Sequence, residues 1–305
     1  MTFLKRATES RPILLDGATG TELTRRAVDT TLPLWSARAL LEAPNVLRQI
    51  HADYLRAGAE IITANTFRTH RRSLAKGEMG DRARELTKFA VEVARTSIRA
   101  RTAPLDPRRV RQRFVAGSLS PLEDCYSPEL VPPQEECERE HAEMAQNLAD
   151  AEVDLILVET MNTIREAVAA TRAARATGKP VLTSFVCNTD GQLLSHESIT
   201  EAVKAIAPLG VMGLLINCTP SITIHQPFAE MLAALKTLAV NVPITGLYAN
   251  IGHTDNVTGW SNTADVSPLE YAQLAAGWLR QGAKLVGGCC GTTPAHIAAV
   301  RVMLV

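Results

Sequence analysis

Eight short apolar runs, each followed by a longer amphipathic one, in a chain of 305 residues predict a single closed α/β barrel of the (β/α)8 TIM type. Strand-like segments that alternate with helix-like ones argue for parallel strands joined by crossover helices. Eight repeats close such a barrel, and the length exceeds the roughly 250 residues it needs. No Gly/Ser linker or low-complexity tract divides the chain, so residues 1–305 are expected to form one domain.

The expected strands are Pro12 to Leu15, Glu60 to Ala64, Arg113 to Gly117, Val153 to Val158, Pro180 to Val186, Val211 to Asn217, Val242 to Tyr248 and Ala283 to Gly288. Each is a short apolar run bounded by turn residues. Between them, apolar residues recur at helical spacing, as in Val46-Ile50-Tyr54, Leu86-Phe89-Val93 and Tyr271-Leu274-Trp278. Ser267-Pro268-Leu269-Glu270 reads as a capping box with proline at the first helical position, and Thr293-Pro294 opens the last helix similarly.

Thirty-two basic and thirty-two acidic residues cancel, so no global field draws the chain to nucleic acid or membrane, and small molecules are the expected partners. No apolar stretch reaches the roughly 18 to 20 residues of a bilayer span. Six cysteines without a leader sequence point to a reducing cytoplasm. Arginines 95, 99, 101, 108, 109, 111 and 113 read as a solvated face.

A barrel of this kind carries its chemistry at the carboxyl ends of its strands. Asp16 follows the first run, Glu159 the fourth, Cys218 the sixth, and Cys289 with Cys290 the eighth. Turns have no use for cysteine, so three thiols at strand exits suit a soft metal if the fold brings them together. A three-sulfur zinc site would leave one position for substrate, the arrangement of a catalytic zinc. Neighbouring Cys289 and Cys290 would face opposite ways on a regular strand, so the backbone must turn there, with Gly287, Gly288 and Gly291 to allow it. Cys125, Cys137 and Cys187 read as small buried hydrophobes.

Zinc on three thiolates would keep a fourth thiol deprotonated near neutral pH, which yields a soft nucleophile suited to attack methyl groups on sulfonium, ammonium or corrinoid donors. Glu159 ends a strongly apolar run, where a carboxylate is costly unless paired. With Asp16 it could hold an amino acid's ammonium, while N–H groups around Gly17 to Gly20 serve the carboxylate. Asn65-Thr66-Phe67 and Tyr248-Ala249-Asn250 offer side chains to the same mouth, or are ordinary loop termini. Trp35 and Trp260 are candidates to face a cationic donor, against a default of packing. His225 and His253 receive no role, and no Walker-type or dinucleotide-type Gly loop occurs.

Asp16-Gly17-Ala18-Thr19-Gly20-Thr21, Asn65-Thr66-Phe67, Glu159-Thr160, Ile216-Asn217-Cys218 and Gly287-Gly288-Cys289-Cys290-Gly291-Thr292-Thr293-Pro294 resemble the homocysteine S-methyltransferases over residues 11 to 303. That resemblance implies a zinc-containing (β/α)8 barrel that converts homocysteine to methionine. It implies Cys218, Cys289 and Cys290 as zinc ligands and Asp16 and Glu159 as holders of the substrate amino group. Gly17, Thr66, Phe67 and Asn217 join them as expected substrate contacts, and Trp35, Tyr248 and Asn250 as expected donor contacts. Leu34-Trp35-Ser36-Ala37 is similar to the members that use S-methylmethionine, while the Asp16 turn and Asn65-Thr66-Phe67 are similar to cobalamin-dependent methionine synthase. A chain that ends after the eighth unit has no room for folate or cobalamin modules. The expected donor is therefore S-methylmethionine or S-adenosylmethionine, with betaine or a separate corrinoid protein as alternatives, and with another thiol or a selenol as alternative acceptor.

Overall fold

The structure, a computed structural model, describes residues 2–102, 112–255, 259–261 and 266–304. Arg108, Arg109 and Arg111, and the side chains of Arg101, His253 and Trp260, lie outside the described residues.

Eight parallel strands form the barrel: Ile13–Leu14, Ile61–Ala64, Phe114–Leu119, Leu155–Met161, Val181–Phe185, Gly213–Pro220, Ile244–Asn250 and Leu285–Gly288. Each pairs with its neighbour in sequence, and the eighth pairs with the first. A parallel bridge between Leu15 and Ile61 closes the ring. The eight expected strands are all present; the third, fourth, sixth and seventh run two or three residues further than expected. An antiparallel pair, His253–Asp255 with Gly259–Ser261, is appended after the seventh strand.

Helices Pro44–Ala57, Ala83–Thr102, Gln134–Asp150, Ile164–Ala176, Ile199–Ile206, His225–Thr237, Pro268–Gln281 and Pro294–Met303 follow the strands in turn. The Ser267–Glu270 capping box forms, with Pro268 at the first position. At Thr293 the box partner is His296. No described helix is long and apolar enough to cross a membrane. Arg95 pairs with Asp154 at 3.5 Å, in keeping with a solvated face.

Period two along each strand divides the core. Leu14, Ile62, Val115, Ile156, Val158 and Ile216 face the helices. Ile13, Leu15, Ile61, Phe114, Ala116, Leu155, Leu157, Leu182, Leu215 and Ile244 fill the interior. Continuing the inward phase by one step gives Thr63, Ser118, Glu159, Ser184 and Asn217, with Tyr248 two steps beyond Ile244. The barrel is thus apolar through its body and polar at the carboxyl ends of its strands.

The opposite end is stoppered by a short helix, Phe3–Ala7, whose Phe3 meets Phe114 edge-on at 5.4 Å. Arg6 from this helix donates to buried Glu60 at 2.9 Å, and Arg11 donates to both Glu60 oxygens at 2.9 Å. Burial pushes the Glu60 carboxyl up, and the two guanidiniums outweigh it, so the group sits below its usual range. Replacing Arg6 with Ala leaves this carboxylate half-paired and should cost on the order of 3 kcal/mol, the low end for a broken buried pair, because Arg11 remains. Urea unfolding checks it; a change within 0.5 kcal/mol, the size of an ordinary surface substitution, would contradict the assignment.

Candidate active site and metal centre

At the carboxyl ends of the strands lies a cavity of about 560 Å³. Asp16, Gly17, Trp35, Phe67, Glu159, Tyr248 and all three strand-exit cysteines line it.

Two bulges aim the key side chains. Strand four shifts register between Val158 and Met161, and strand six between Asn217 and Pro220. Each bulge contains a non-glycine residue in the left-handed region, Thr160 at φ 60° and Cys218 at φ 50°. Such residues cost about 1–3 kcal/mol each and persist where neighbours hold them. Here Asn217 does so: its Oδ1 accepts from the Thr160 N–H at 3.0 Å and from Ser184 Oγ at 2.7 Å, while its Nδ2 donates to Thr160 Oγ1 at 2.8 Å. Asn250 Nδ2 donates to the Cys218 carbonyl at 2.8 Å.

On the far side the eighth strand ends at Gly288, and the chain turns through Cys289 and Cys290. Gly291 takes φ 81°, where an added Cβ would lie 2.3 Å from the Ile251 carbonyl oxygen. Gly288 is needed for space instead, since its Cβ would meet Thr292 Oγ1 at 2.3 Å. Ile251 N–H donates to the Cys290 carbonyl at 2.9 Å, and Cys289 N–H to that of Ala249 at 2.7 Å. Tyr271, on the helix between strands seven and eight, donates to the Gly287 carbonyl at 2.7 Å.

The sulfurs of Cys218, Cys289 and Cys290 lie within 4.8 Å of one another. Cys218 is 2.8 Å from Cys289 and 3.7 Å from Cys290, and all six cysteines of the chain are free. S–H donation from Cys289 and Cys290 holds Cys218 below the ordinary thiol range, and the same sharing pushes their own thiols up. Three thiolates this close need a cation. Zinc with sulfurs at about 2.3 Å in a tetrahedron separates them by about 3.8 Å, which the Cys218–Cys290 pair already matches and the Cys218–Cys289 pair reaches by opening about 1 Å. Among the described residues, no other group of three or more Cys, His, Asp or Glu is so disposed.

The two carboxylates are buried beside the trio. Asp16 Oδ2 accepts from the Thr63 N–H at 2.8 Å and Oδ1 from Thr63 Oγ1 at 2.9 Å. Glu159 accepts from Ser118 Oγ and, at 3.1 Å, from the Tyr248 hydroxyl. Burial pushes each carboxyl up to about 7 despite these donors. Burial also pushes the Tyr248 phenol up, so it keeps its proton and donates.

Three expected contacts need correction. Thr66, Asn217 and Asn250 are fully buried but do not line the cavity. Thr66 Oγ1 donates to the Ser118 carbonyl at 2.8 Å, and the two asparagines hold the bulged backbone. Of the cysteines read as core, Cys137 and Cys187 are buried; Cys125 is buried too, yet lines the cavity. Sequence reasoning passed over Thr63 and Ser118, which the inward strand phase could have identified. It also passed over Tyr126, whose hydroxyl lies 3.3 Å from Cys218 Sγ; an aromatic residue beside a cysteine in a loop was its only signal.

Replacing Asn217 with Ala strands the buried Thr160 N–H, which should cost about 1–3 kcal/mol. Because Cys218 follows it directly, metal retention under a chelator challenge should fall as well. Unchanged retention would show that the direction of Cys218 is set elsewhere.

Residues 13–304 match the profile of the homocysteine S-methyltransferase family. The chain is 31% identical to selenocysteine methyltransferase of Astragalus bisulcatus, covering 99% of this chain and 94% of that protein. It is 32% identical to homocysteine S-methyltransferase of Escherichia coli K12, covering 95% and 94%. Methionine synthase of Mycobacterium tuberculosis is 33% identical, with 95% of this chain aligned to 24% of that longer protein. Among solved structures, the metallated form of the E. coli homocysteine methyltransferase MmuM superposes with a TM-score of 0.81 at 28% identity, covering 97% of each chain. With the barrel, the cysteine trio and these relatives in agreement, the chain belongs to the homocysteine S-methyltransferase family.

Proposed function

We propose that this enzyme transfers a methyl group to the thiol of homocysteine, forming methionine, with S-methylmethionine as donor. The observation that carries the reading is the meeting of three free thiols and two buried carboxylates in one cavity. A zinc ion held by Cys218, Cys289 and Cys290 would supply a position that keeps an incoming thiol, ordinarily of pKa about 8.5, as thiolate at neutral pH. The E. coli relative's metallated form supports a metal here.

The chain's own residues place the reactants. Asp16 and Glu159 take the ammonium of homocysteine, which supplies the charge partner that burial denies them. N–H groups of the 17–20 turn face its carboxylate, apart from that of Ala18, which donates to Thr292 Oγ1 at 3.2 Å. Tyr54 steadies this turn by donating to the Ala18 carbonyl at 2.8 Å. Trp35 and Phe67, edge-on to each other at 5.6 Å, line the cavity and would offer aromatic surface to a sulfonium. In the transfer, the homocysteine sulfur forms a bond to the methyl carbon, the bond to the donor sulfur breaks, and that sulfur keeps the electron pair. The thiol proton passes to solvent, and S-methylmethionine leaves as a second methionine.

The likeness to selenocysteine methyltransferase favours one second reading, a selenol acceptor in the same place. Competition between homocysteine and selenocysteine for one donor separates the two. Methionine formed by the purified chain from S-methylmethionine would exclude dependence on a separate corrinoid protein.

The raised carboxyls fix the pH dependence. In substrate-free enzyme they hold protons up to about pH 7 that the unfolded chain releases near 4, so they lower stability as pH rises from 4 to 7. Ammonium binding needs them ionised, so homocysteine affinity should fall below pH 7, by about tenfold per pH unit for each proton displaced. Glu159→Gln keeps partners for Ser118 and Tyr248; it should preserve or raise stability at pH 8 while raising the homocysteine KM at least about tenfold. An unchanged KM would remove Glu159 from the ammonium site. Cys290→Ala should abolish bound metal and turnover together, and full activity in metal-free protein would overturn the proposal.

A further inference from the structure

Arg68 is a cavity-lining cation with no acidic partner among the described residues. Its neighbours along the chain are fully engaged: Arg71 pairs with Asp81 and Glu143, and Arg72 with Glu123, Glu136 and Glu140. Among the described residues Arg68 makes no ion pair, and its guanidinium has a single hydrogen bond there, from Nη1 to Ser73 Oγ at 3.5 Å, the outer limit of such contacts. Its Nε is buried and has no acceptor. On the same cavity wall, Ser36 Oγ is also buried and unpartnered, although Ser36 is only 1% exposed. Buried N–H and O–H groups in native proteins are almost always satisfied, so two orphans just behind the surface of one cavity, on residues that line it, point to a ligand acceptor met by a turn of these side chains.

The place of Arg68 says which ligand. Its guanidinium lies over the Phe67 ring at 5.7 Å, and Phe67 in turn meets Trp35 edge-on, with Ser36 next in sequence. This is the aromatic wall proposed for the donor, whereas the acceptor's ammonium and thiol are assigned to Asp16, Glu159 and the cysteines. A guanidinium matches a planar carboxylate with two parallel hydrogen bonds. Resting on the proposed methyl transfer, we infer that Arg68, assisted by Ser36, binds a carboxylate of the methyl donor and selects sulfonium donors of amino-acid type over those without an acid group. Arg68 is a specificity residue: it touches the donor away from the carbon that moves.

The test uses the metal-loaded full chain with S-methylmethionine and with trimethylsulfonium, a donor that lacks a carboxylate. Arg68→Gln should raise the KM for S-methylmethionine about ten- to a hundredfold, the range expected for a lost charged hydrogen bond. The homocysteine KM and the rate with trimethylsulfonium should hold, and Arg68→Lys should recover part of the loss. Calorimetric titration of S-methylmethionine without homocysteine should show the same weakening. A raised homocysteine KM, an equal effect on both donors, or unchanged calorimetric affinity would each overturn the inference. Should wild type bind S-methylmethionine in an Arg68-dependent way yet form no methionine, the donor site stands and the proposed function fails.

Discussion

The side-chain amide of Asn217 ties two bulged strands together at the mouth of the barrel, and the geometry of the site depends on that tie. Its three hydrogen bonds reach Thr160 and Ser184, and the residues beside its two ends, Glu159 and Cys218, are the ones that enter the cavity. Without it, and without the Asn250 bond to the Cys218 carbonyl, two residues with Cβ atoms would lose the contacts that hold them at positive φ. The sequence spends a fully buried amide to aim a carboxylate and a thiol. The outcome is a site set on rigid strand ends, which position groups better than loops do.

A second constraint is electrical. The polar layer at the strand ends holds two carboxyls and three thiols in close quarters, with Arg68 farther along the wall. Burial in that layer withholds the water that would solvate a negative charge, and this pushes Asp16 and Glu159 up to about 7. Cations relieve it, and each proposed ligand is cationic at the place where the wall is negative or aromatic: a metal at the sulfurs, an ammonium at the carboxyls, a sulfonium at Trp35 and Phe67. The site is destabilised without its ligands and complementary to them, a common exchange of stability for binding.

Much of this was legible in the sequence. Alternating apolar and amphipathic runs placed all eight strands, because parallel barrel strands are buried on both faces and read as continuous apolar segments. Cysteines at strand exits, which turns do not select, singled out the three thiols that the fold brings together. Bulges were not legible: Thr160 and Cys218 carry no glycine to mark their positive φ, so strands four and six were ended early. For the same reason Asn217 and Asn250, read as ligand contacts, proved to be braces for the backbone. The Phe3–Ala7 plug is too short to show helical periodicity, and Glu60, its partner, lies 54 residues from Arg6. Arg68 drew no notice because one arginine among many has no signature until its neighbours' ion pairs are known.

Zinc K-edge X-ray absorption tests the central claim most directly, by counting the atoms around the metal before and after homocysteine is added. The account predicts three sulfurs at about 2.3 Å in the loaded enzyme and a fourth at the same distance with homocysteine bound. A shell dominated by nitrogen or oxygen, or a sulfur count that stays at three with saturating homocysteine, would contradict it.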